Sequence, residues 1–214
     1  MKTILLSAAA ALVLGAGSAQ AGNISVVAQF ANNNAAVVNQ GGNNSNNASA
    51  VIQVSTAQQG IGNVALVNQT GKQNGALTFQ VGQQQVAQTD QIGKHNGAAT
   101  IQLGISQTSV TQQFGVDANN NAYGVNNNRA LTVQLGAMQH AETIQRDSNN
   151  EALTLQVGLV QSAHTGQAGK NNSAGTVQIG ANNTATTDQF GNGNWSGVGQ
   201  FGTGNIAAVN QSSN

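Results

Sequence analysis

One seven-residue phrase recurs sixteen times between Asn23 and Gln211. It reads Asn or Gln, any residue, Ala or Ser, any residue, Val or Thr, any residue, Gln, and no copy departs from it at the four fixed positions. Most copies follow one another at intervals of 11 residues. A period this strict is typical of stacked copies of one small structural unit, so the fold is predicted from the repeat and not from a globular template.

Each phrase closes with a glutamine. These closing glutamines are Gln29, Gln40, Gln53, Gln69, Gln80, Gln91, Gln102, Gln113, Gln134, Gln145, Gln156, Gln167, Gln178, Gln189, Gln200 and Gln211. Three intervals between them are longer than the rest. Removing residues 116–125 restores the standard spacing across the longest one, and smaller insertions near Ser45 and between Ser55 and Gly60 explain the other two. Loops tolerate such insertions and strands do not.

The alternation of fixed and variable positions has the period of a β-strand. Gly stands two residues after most closing glutamines, for example at Gly82 and Gly104, which predicts a tight turn with positive φ after each strand of about seven residues. Two strands per coil make a unit of 22 residues. The sequence therefore predicts an all-β fold for residues 22–214, a two-sheet β-solenoid with cross-β stacking of about eight 22-residue strand-turn-strand repeats and sixteen strands.

The charged residues indicate which face of each strand lies inside. None of the fixed positions is charged, whereas Asp90, Arg129, Glu142 and Asp188 all occupy variable positions. Burial of an unpaired charge costs several kcal/mol, so the fixed face is predicted to be the interior. Identical amides stacked about 4.8 Å apart can bond to the copies above and below. The closing glutamines are therefore predicted to form an amide ladder that supports the structure and its assembly.

The outward positions of the odd-numbered strands are apolar, whereas those of the even-numbered strands are polar. This predicts a lateral apolar face formed by Leu77, Phe79, Ile101, Leu131, Val133, Leu153, Leu155 and Val177. Strands of about 23 Å in eight coils spaced by ~4.8 Å give this face about 900 Å², more than a soluble monomer usually exposes. We expect fibrils to pair laterally, or to adhere to apolar surfaces, through this face.

Residues 1–21 are predicted to be a secretory signal peptide. They carry one lysine, an apolar run from Ile4 to Leu14 and an Ala-x-Ala cleavage site that ends at Ala21. No later segment approaches 18 consecutive apolar residues, so no transmembrane span is expected. The chain has no Cys, which excludes disulfides, and its net charge of zero with 6% charged residues argues against nucleic-acid binding. No side-chain pattern indicates an enzyme, a metal site or a cofactor.

The first phrase starts at Asn23 and the last ends at Gln211, which leaves little room for a cap on either end strand. Open strand edges readily pair with other chains. We therefore expect the solenoid to stack end on end into a cross-β fibre.

The pattern Gln-x-Gly-x-x-Asn-x-Ala-x-x-x-Gln, as in Gln69 to Gln80 and Gln178 to Gln189, resembles the curlin repeat. The resemblance covers essentially the whole chain after residue 21. It implies a secreted structural subunit that self-assembles into extracellular, curli-like amyloid fibres at the bacterial cell surface, with roles in biofilm matrix, cell adhesion and surface attachment. The partners it implies are further copies of the chain, a second curlin as nucleator, and an outer-membrane secretion pore with accessory proteins.

Two departures from the major subunits of this family leave other interpretations open. Almost no spacer separates the predicted signal peptide from the first repeat, and there are more full repeats than is typical. The chain is therefore also interpreted as a nucleator or minor subunit. A non-polymerising surface- or ice-binding β-solenoid is a third interpretation, because Thr78, Thr100, Thr132, Thr154 and Thr176 align at one position of the repeat, although on the face assigned to the interior.

Overall fold

A computed structural model describes residues 22–31, 33–42, 46–55, 62–115 and 126–213. The predicted signal peptide, the 116–125 insertion and most of the two smaller insertions lie outside the described residues. The described residues contain sixteen β-strands and no helix, and therefore no helix that could cross a membrane. The strands are β1 Ile24–Phe30, β2 Ala35–Gly41, β3 Ala48–Ser55, β4 Val64–Lys72, β5 Gly75–Gln83, β6 Val86–Lys94, β7 Gly97–Ile105, β8 Thr108–Phe114, β9 Arg129–Ala137, β10 His140–Ser148, β11 Glu151–Leu159, β12 Ser162–Lys170, β13 Ser173–Ala181, β14 Thr184–Phe190, β15 Trp195–Thr203 and β16 Ile206–Ser212.

The strands form two parallel eight-stranded sheets that face each other. The odd sheet has the order β1-β3-β5-β7-β9-β11-β13-β15, and the even sheet has the order β2-β4-β6-β8-β10-β12-β14-β16. Each odd strand and the even strand that follows it form one coil, so coil 1 holds β1 and β2 and coil 8 holds β15 and β16. Closing glutamines pair with closing glutamines, for example Gln80 with Gln102. The predicted two-sheet β-solenoid of eight coils is confirmed.

The strand boundaries and the turns differ in detail from the sequence prediction. Strand β5 begins one residue after the opening amide Asn74 and continues three residues past Gln80. Gly82 has the predicted positive φ, 138°, but it lies inside this strand. The chain reverses two residues later, where Gln84 is left-handed with a φ of 55°. The predicted glycine turn is therefore a glycine bend followed by a left-handed residue at the corner.

The left-handed corner residue is Asn in several corners, such as Asn149 and Asn171, but other types of side chain also adopt this conformation. Ser106, Met138 and even the β-branched Val160 adopt it, with φ values between 51° and 56°. Such a conformation is strained for a β-branched residue, so the surrounding coil must impose it. The corner amides are bonded from coil to coil, since Ser106 N–H donates to Gln83 O and Met138 N–H donates to Ile105 O, both at 3.0 Å.

The bend glycines are required by close packing between coils as well as by their φ. A Cβ added at Gly104 would lie 1.7 Å from the main-chain oxygen of Gly136, and a Cβ at Gly136 would lie 1.9 Å from that of Gly158. Both residues have φ values above 130°, a region that L side chains rarely adopt. The glycines thus stack in a column that leaves no space for a side chain.

The fixed positions of the phrase lie inside, as the charge pattern predicts. Ala, Ser, Val and Thr side chains from the two sheets meet in a thin interior, and the largest fully buried side chains are glutamines such as Gln80, Gln102 and Gln134. The charged residues Arg129, Glu151 and Asp188 occupy outward or partly exposed positions. The interior is therefore largely polar, and its polar groups must find partners within the protein.

We predict that Gly104→Ala destabilises the fold by about 2 kcal/mol or more, because the new Cβ meets the next coil and φ becomes unfavourable. The midpoint of denaturant unfolding, followed by circular dichroism, measures the effect. Gly97→Ala is the matched control, since Gly97 lies in the same strand with no atom within 4 Å of its added Cβ. Equal midpoints for the two variants would contradict the prediction.

Candidate assembly surfaces

The closing glutamines form two continuous hydrogen-bonded columns, one in each sheet. In each of coils 1–7 the side-chain Nε2 donates to Oε1 of the closing glutamine in the next coil, at 2.7–2.9 Å. The odd column runs from Gln29 to Gln200 and the even column from Gln40 to Gln211. Each coil is thereby joined to the next through both edges of the interior.

The same amides also connect the two sheets. Gln80 Nε2 of the odd sheet donates a second bond to Val64 O of the even sheet at 3.1 Å, and Gln113 Nε2 of the even sheet donates to Gly97 O of the odd sheet at 3.0 Å. A primary amide has two N–H donors, and both are used here. The glutamine columns therefore hold coil to coil and sheet to sheet at once.

The opening residues of the phrase form a second pair of columns at the corners. Asn74 Oδ1 accepts the Asn96 main-chain N–H at 3.1 Å, and its Nδ2 donates to Thr70 O at 3.3 Å and to Gly93 O at 3.1 Å. The opening residue that precedes each of the strands β6, β8, β10 and β12 is Gln instead of Asn. In this column Gln85 Nε2 donates to Gln107 Oε1 at 3.1 Å. These amides satisfy main-chain groups where the ladder is interrupted by the turn.

The long insertion does not disturb the columns. Gln91 bonds to Gln113 at 2.7 Å across 22 residues of chain, and Gln113 bonds to Gln145 at 2.8 Å across 32 residues. Strands β8 and β10 pair in the same register as β6 and β8. The ladder therefore keeps one register on both sides of residues 116–125.

Both glutamine columns have one direction along the solenoid. Because each Nε2 donates toward the following coil, coil 1 presents the Oε1 acceptors of Gln29 and Gln40 at its outer edge. Coil 8 presents the Nε2 groups of Gln200 and Gln211, each with one N–H bonded to a main-chain oxygen at 2.8–2.9 Å. The two ends of the described solenoid are therefore chemically different and complementary.

The end strands pair on one side only within the described residues. Strands β1 and β2 contact β3 and β4, and strands β15 and β16 contact β13 and β14. Gln29 is exposed and Gln211 is half-buried, whereas Gln53 and Gln189, one coil inward, are fully buried. The described ends thus expose strand edges together with the ends of the amide columns, and such edges template further strand pairing.

The residues of the lateral apolar face all lie on the outward side of the odd sheet. Leu77, Leu131 and Leu153 are 38–42% exposed. The other five, Phe79, Ile101, Val133, Leu155 and Val177, are half-buried between their neighbours in the sheet. Leu131 pairs with Leu153, and Val133 pairs with Leu155, so these four side chains form one compact patch.

The outward side of the even sheet is less uniformly polar than the sequence predicts, because exposed apolar residues such as Val37, Val86 and Phe190 lie among its polar ones. It also carries a contact that the sequence did not reveal. His164 Nδ1 lies 3.0 Å from Glu142 Oε2, and its Nε2 lies 3.5 Å from Asp188 Oδ1. All three side chains are about one-third exposed, so these pairs contribute little to stability. No group of His, Asp or Glu in the described part of the chain is arranged to hold a metal ion.

The fold and its columns define a parallel β-solenoid whose coils are stacked by amide ladders. A family model, the curlin associated repeat, matches residues 180–212, which span the last three strands. The chain is therefore related to the curlin family, and the same phrase recurs in register in the strands outside the match. The comparison with curated proteins found no match.

We predict that Gln113→Leu destabilises the fold by roughly 3 kcal/mol or more, because it leaves Gln91, Gln145 and Gly97 O with unpaired buried groups. The free energy of unfolding in denaturant measures the loss. Gln112→Leu is the control, since Gln112 is the adjacent residue on the outward side. A loss as large for Gln112→Leu as for Gln113→Leu would show that the column is not the source of stability.

Proposed function

We propose that this protein is a secreted structural subunit that self-assembles end to end into extracellular, curli-like amyloid fibres. In this proposal the fibres contribute to biofilm matrix, cell adhesion and surface attachment. The observation that carries it is the complementarity of the two solenoid ends. The relationship to the curlin family supports it independently.

End-to-end stacking continues the existing structure without any new type of contact. If coil 8 of one copy meets coil 1 of the next, the Nε2 groups of Gln200 and Gln211 face the Oε1 atoms of Gln29 and Gln40. The main chains of β15 and β1, and of β16 and β2, are then parallel, as within each sheet. Two like ends would instead place acceptor against acceptor or donor against donor. The hydrogen bonds therefore favour a head-to-tail polymer.

The polymer would have cross-β geometry. Every strand runs across the solenoid axis and pairs with strands above and below, so stacking repeats the strand spacing of about 4.8 Å along the fibre. Identical amide columns are a feature that stabilises amyloid. The subunit would already have the internal structure of the fibre before it joins one.

The threonine alignment gives little support to a surface- or ice-binding function. The aligned threonines are at most 1% exposed, so they cannot present a regular threonine surface to a ligand; they are Thr78, Thr100, Thr132, Thr154 and Thr176.

The proposal applies equally to a major fibre subunit and to a nucleator, because both would use the same two ends. Secretion through an outer-membrane pore, with accessory proteins and a second curlin as partners, is part of the proposal; the resemblance to curlins and the predicted signal peptide of residues 1–21 support it.

The self-assembly proposal is tested by diluting the chain from Gly22 to Asn214 out of denaturant. We expect thioflavin-T fluorescence to rise after a lag that preformed seeds remove, because the seed offers a complete coil as template. Fibre diffraction is expected to show reflections near 4.8 Å and 10 Å. A β-rich chain that stays monomeric at all concentrations would contradict the proposal.

We further propose that the lateral apolar face pairs fibrils or attaches them to apolar surfaces. Replacing Leu131, Val133, Leu153 and Leu155 with Lys is expected to abolish bundling in electron micrographs while single fibrils still elongate. The control introduces the same four charges on the outward side of the even sheet, at Thr108, Gln112, Thr184 and Thr186. Bundles that persist in the first variant, or that vanish equally in the control, would contradict this role.

A further inference from the structure

The fifth position of the phrase, which is Val or Thr, is divided between the ends and the middle of the solenoid. It is Val in coils 1, 2 and 8, at Val27, Val38, Val51, Val67, Val198 and Val209. It is Thr in all ten strands of coils 3–7, at Thr78, Thr89, Thr100, Thr111, Thr132, Thr143, Thr154, Thr165, Thr176 and Thr187. Val and Thr have nearly the same shape and differ in one group, which is a methyl in Val and a hydroxyl in Thr.

This division is the reverse of what a soluble monomer requires. Thr132, Thr154 and Thr176 are at most 1% exposed, and their hydroxyls have no hydrogen-bond partner among the described residues. Val27, at the open end of the odd sheet, is 45% exposed. A buried unpaired hydroxyl and an exposed apolar side chain are both unfavourable. Valine at the open end of coil 1 is therefore favourable only if another surface covers it, whereas Val198 of coil 8 is already 7% exposed in the single subunit.

Charge follows the same division. No Asp, Glu, Lys, Arg or His occurs between Gly22 and Gly42 or between Asn192 and Asn214, which include coils 1 and 8. All charged residues of the described coils lie between Lys72 and Asp188. The two ends therefore combine apolar interior positions with the absence of any charge that would repel a second copy.

We propose that subunits join through a charge-free, valine-lined junction in which coil 8 of one copy packs on coil 1 of the next, in register. This inference rests on the proposed end-to-end assembly and adds the residues that form the contact. The register within the sheets places Thr176 beside Val198 and Val27 beside Val51. Continued across the junction, it places Val198 on Val27 of the next copy and Val209 on Val38 of the next copy.

The residues around the valines fit the same register. Ser196 falls beside Ser25 of the next copy. Both occupy the third position of the phrase, where most strands have Ala, so their two hydroxyl groups would lie next to each other. On the outward side, Trp195 falls beside Ile24 of the next copy. Trp195 is 72% exposed and Ile24 is 56% exposed in the single subunit. The junction thus covers apolar groups on both sides of the odd sheet's end strands.

The valine contact is tested by the fourfold variant Val27→Thr, Val38→Thr, Val198→Thr and Val209→Thr. Thr already occupies this position in ten strands, so the coils retain their shape. The control is Val51→Thr with Val67→Thr, which makes the same exchange in coil 2. Coil 2 lies between coils 1 and 3 of the same chain and takes no part in the junction between copies. Fibres are sonicated for a fixed time, and the number of fibre ends is counted in electron micrographs.

We expect about ten-fold more breaks in the fourfold variant and no increase in the control, since a ten-fold change needs only ~1.4 kcal/mol. Equal breakage of wild-type and fourfold-variant fibres, or equal breakage of the two variants, would overturn the valine junction while leaving end-to-end assembly intact. A wild-type chain that forms no fibres would overturn both.

The register is tested with Ile24→Cys combined with Trp195→Cys. Neighbouring strands lie about 4.8 Å apart, within the range that a disulfide can bridge. The chain has no native Cys, and Ile24 and Trp195 of one molecule lie at opposite ends of the solenoid. Oxidised fibres should therefore give a ladder of covalent multimers on a non-reducing gel.

The control pairs Ile24→Cys with Ser173→Cys, which lies one strand further from the junction. We expect no multimers from this control. Fibres of the first variant without multimers, or multimers of equal yield in the control, would overturn the proposed register.

Discussion

The hydrogen bond between a buried amide and the same amide one coil away is the interaction on which the structure depends. A buried amide without a partner costs about 1–3 kcal/mol, so each glutamine requires another glutamine at the same position in the neighbouring coil. Gln80, Gln102 and Gln134 meet this requirement in turn. It explains why the closing glutamine is invariant, whereas the outward positions, where water can pair with polar groups, vary from coil to coil.

The distribution of polar and apolar residues is the inverse of that in a globular domain. Glutamine and threonine fill the interior, whereas Leu77, Leu131 and Leu153 lie outside. The small interior of one coil buries too little apolar surface to support that coil alone, so its stability comes from the neighbours on either side. In the proposed fibre, a subunit at the end of the stack lacks one neighbour, and a further subunit would supply it. Folding and the proposed polymerisation would then use the same kinds of contact.

The period of the sequence was sufficient to predict the number of strands, their pairing and their inward face, because the amide columns force a strict repeat. The corner conformation was not predictable in the same way. Gln84, Ser106 and Met138 share a left-handed φ but no side-chain property, because the preceding glycine and the coil-to-coil packing impose it. The valines at the ends were visible in the sequence, but their position became informative only once the structure showed which strands are edges.

The Gln113–Gln145 bond preserves the register of the glutamine column although the chain between β8 and β9 is ten residues longer than the repeat requires. In a stack of identical copies, any segment placed between β8 and β9 would recur once per subunit on the same side of the fibre, at a spacing of roughly 38 Å for eight coils at ~4.8 Å. In the proposed polymer, a foreign peptide or small domain introduced between β8 and β9 would therefore be displayed as a regular linear array.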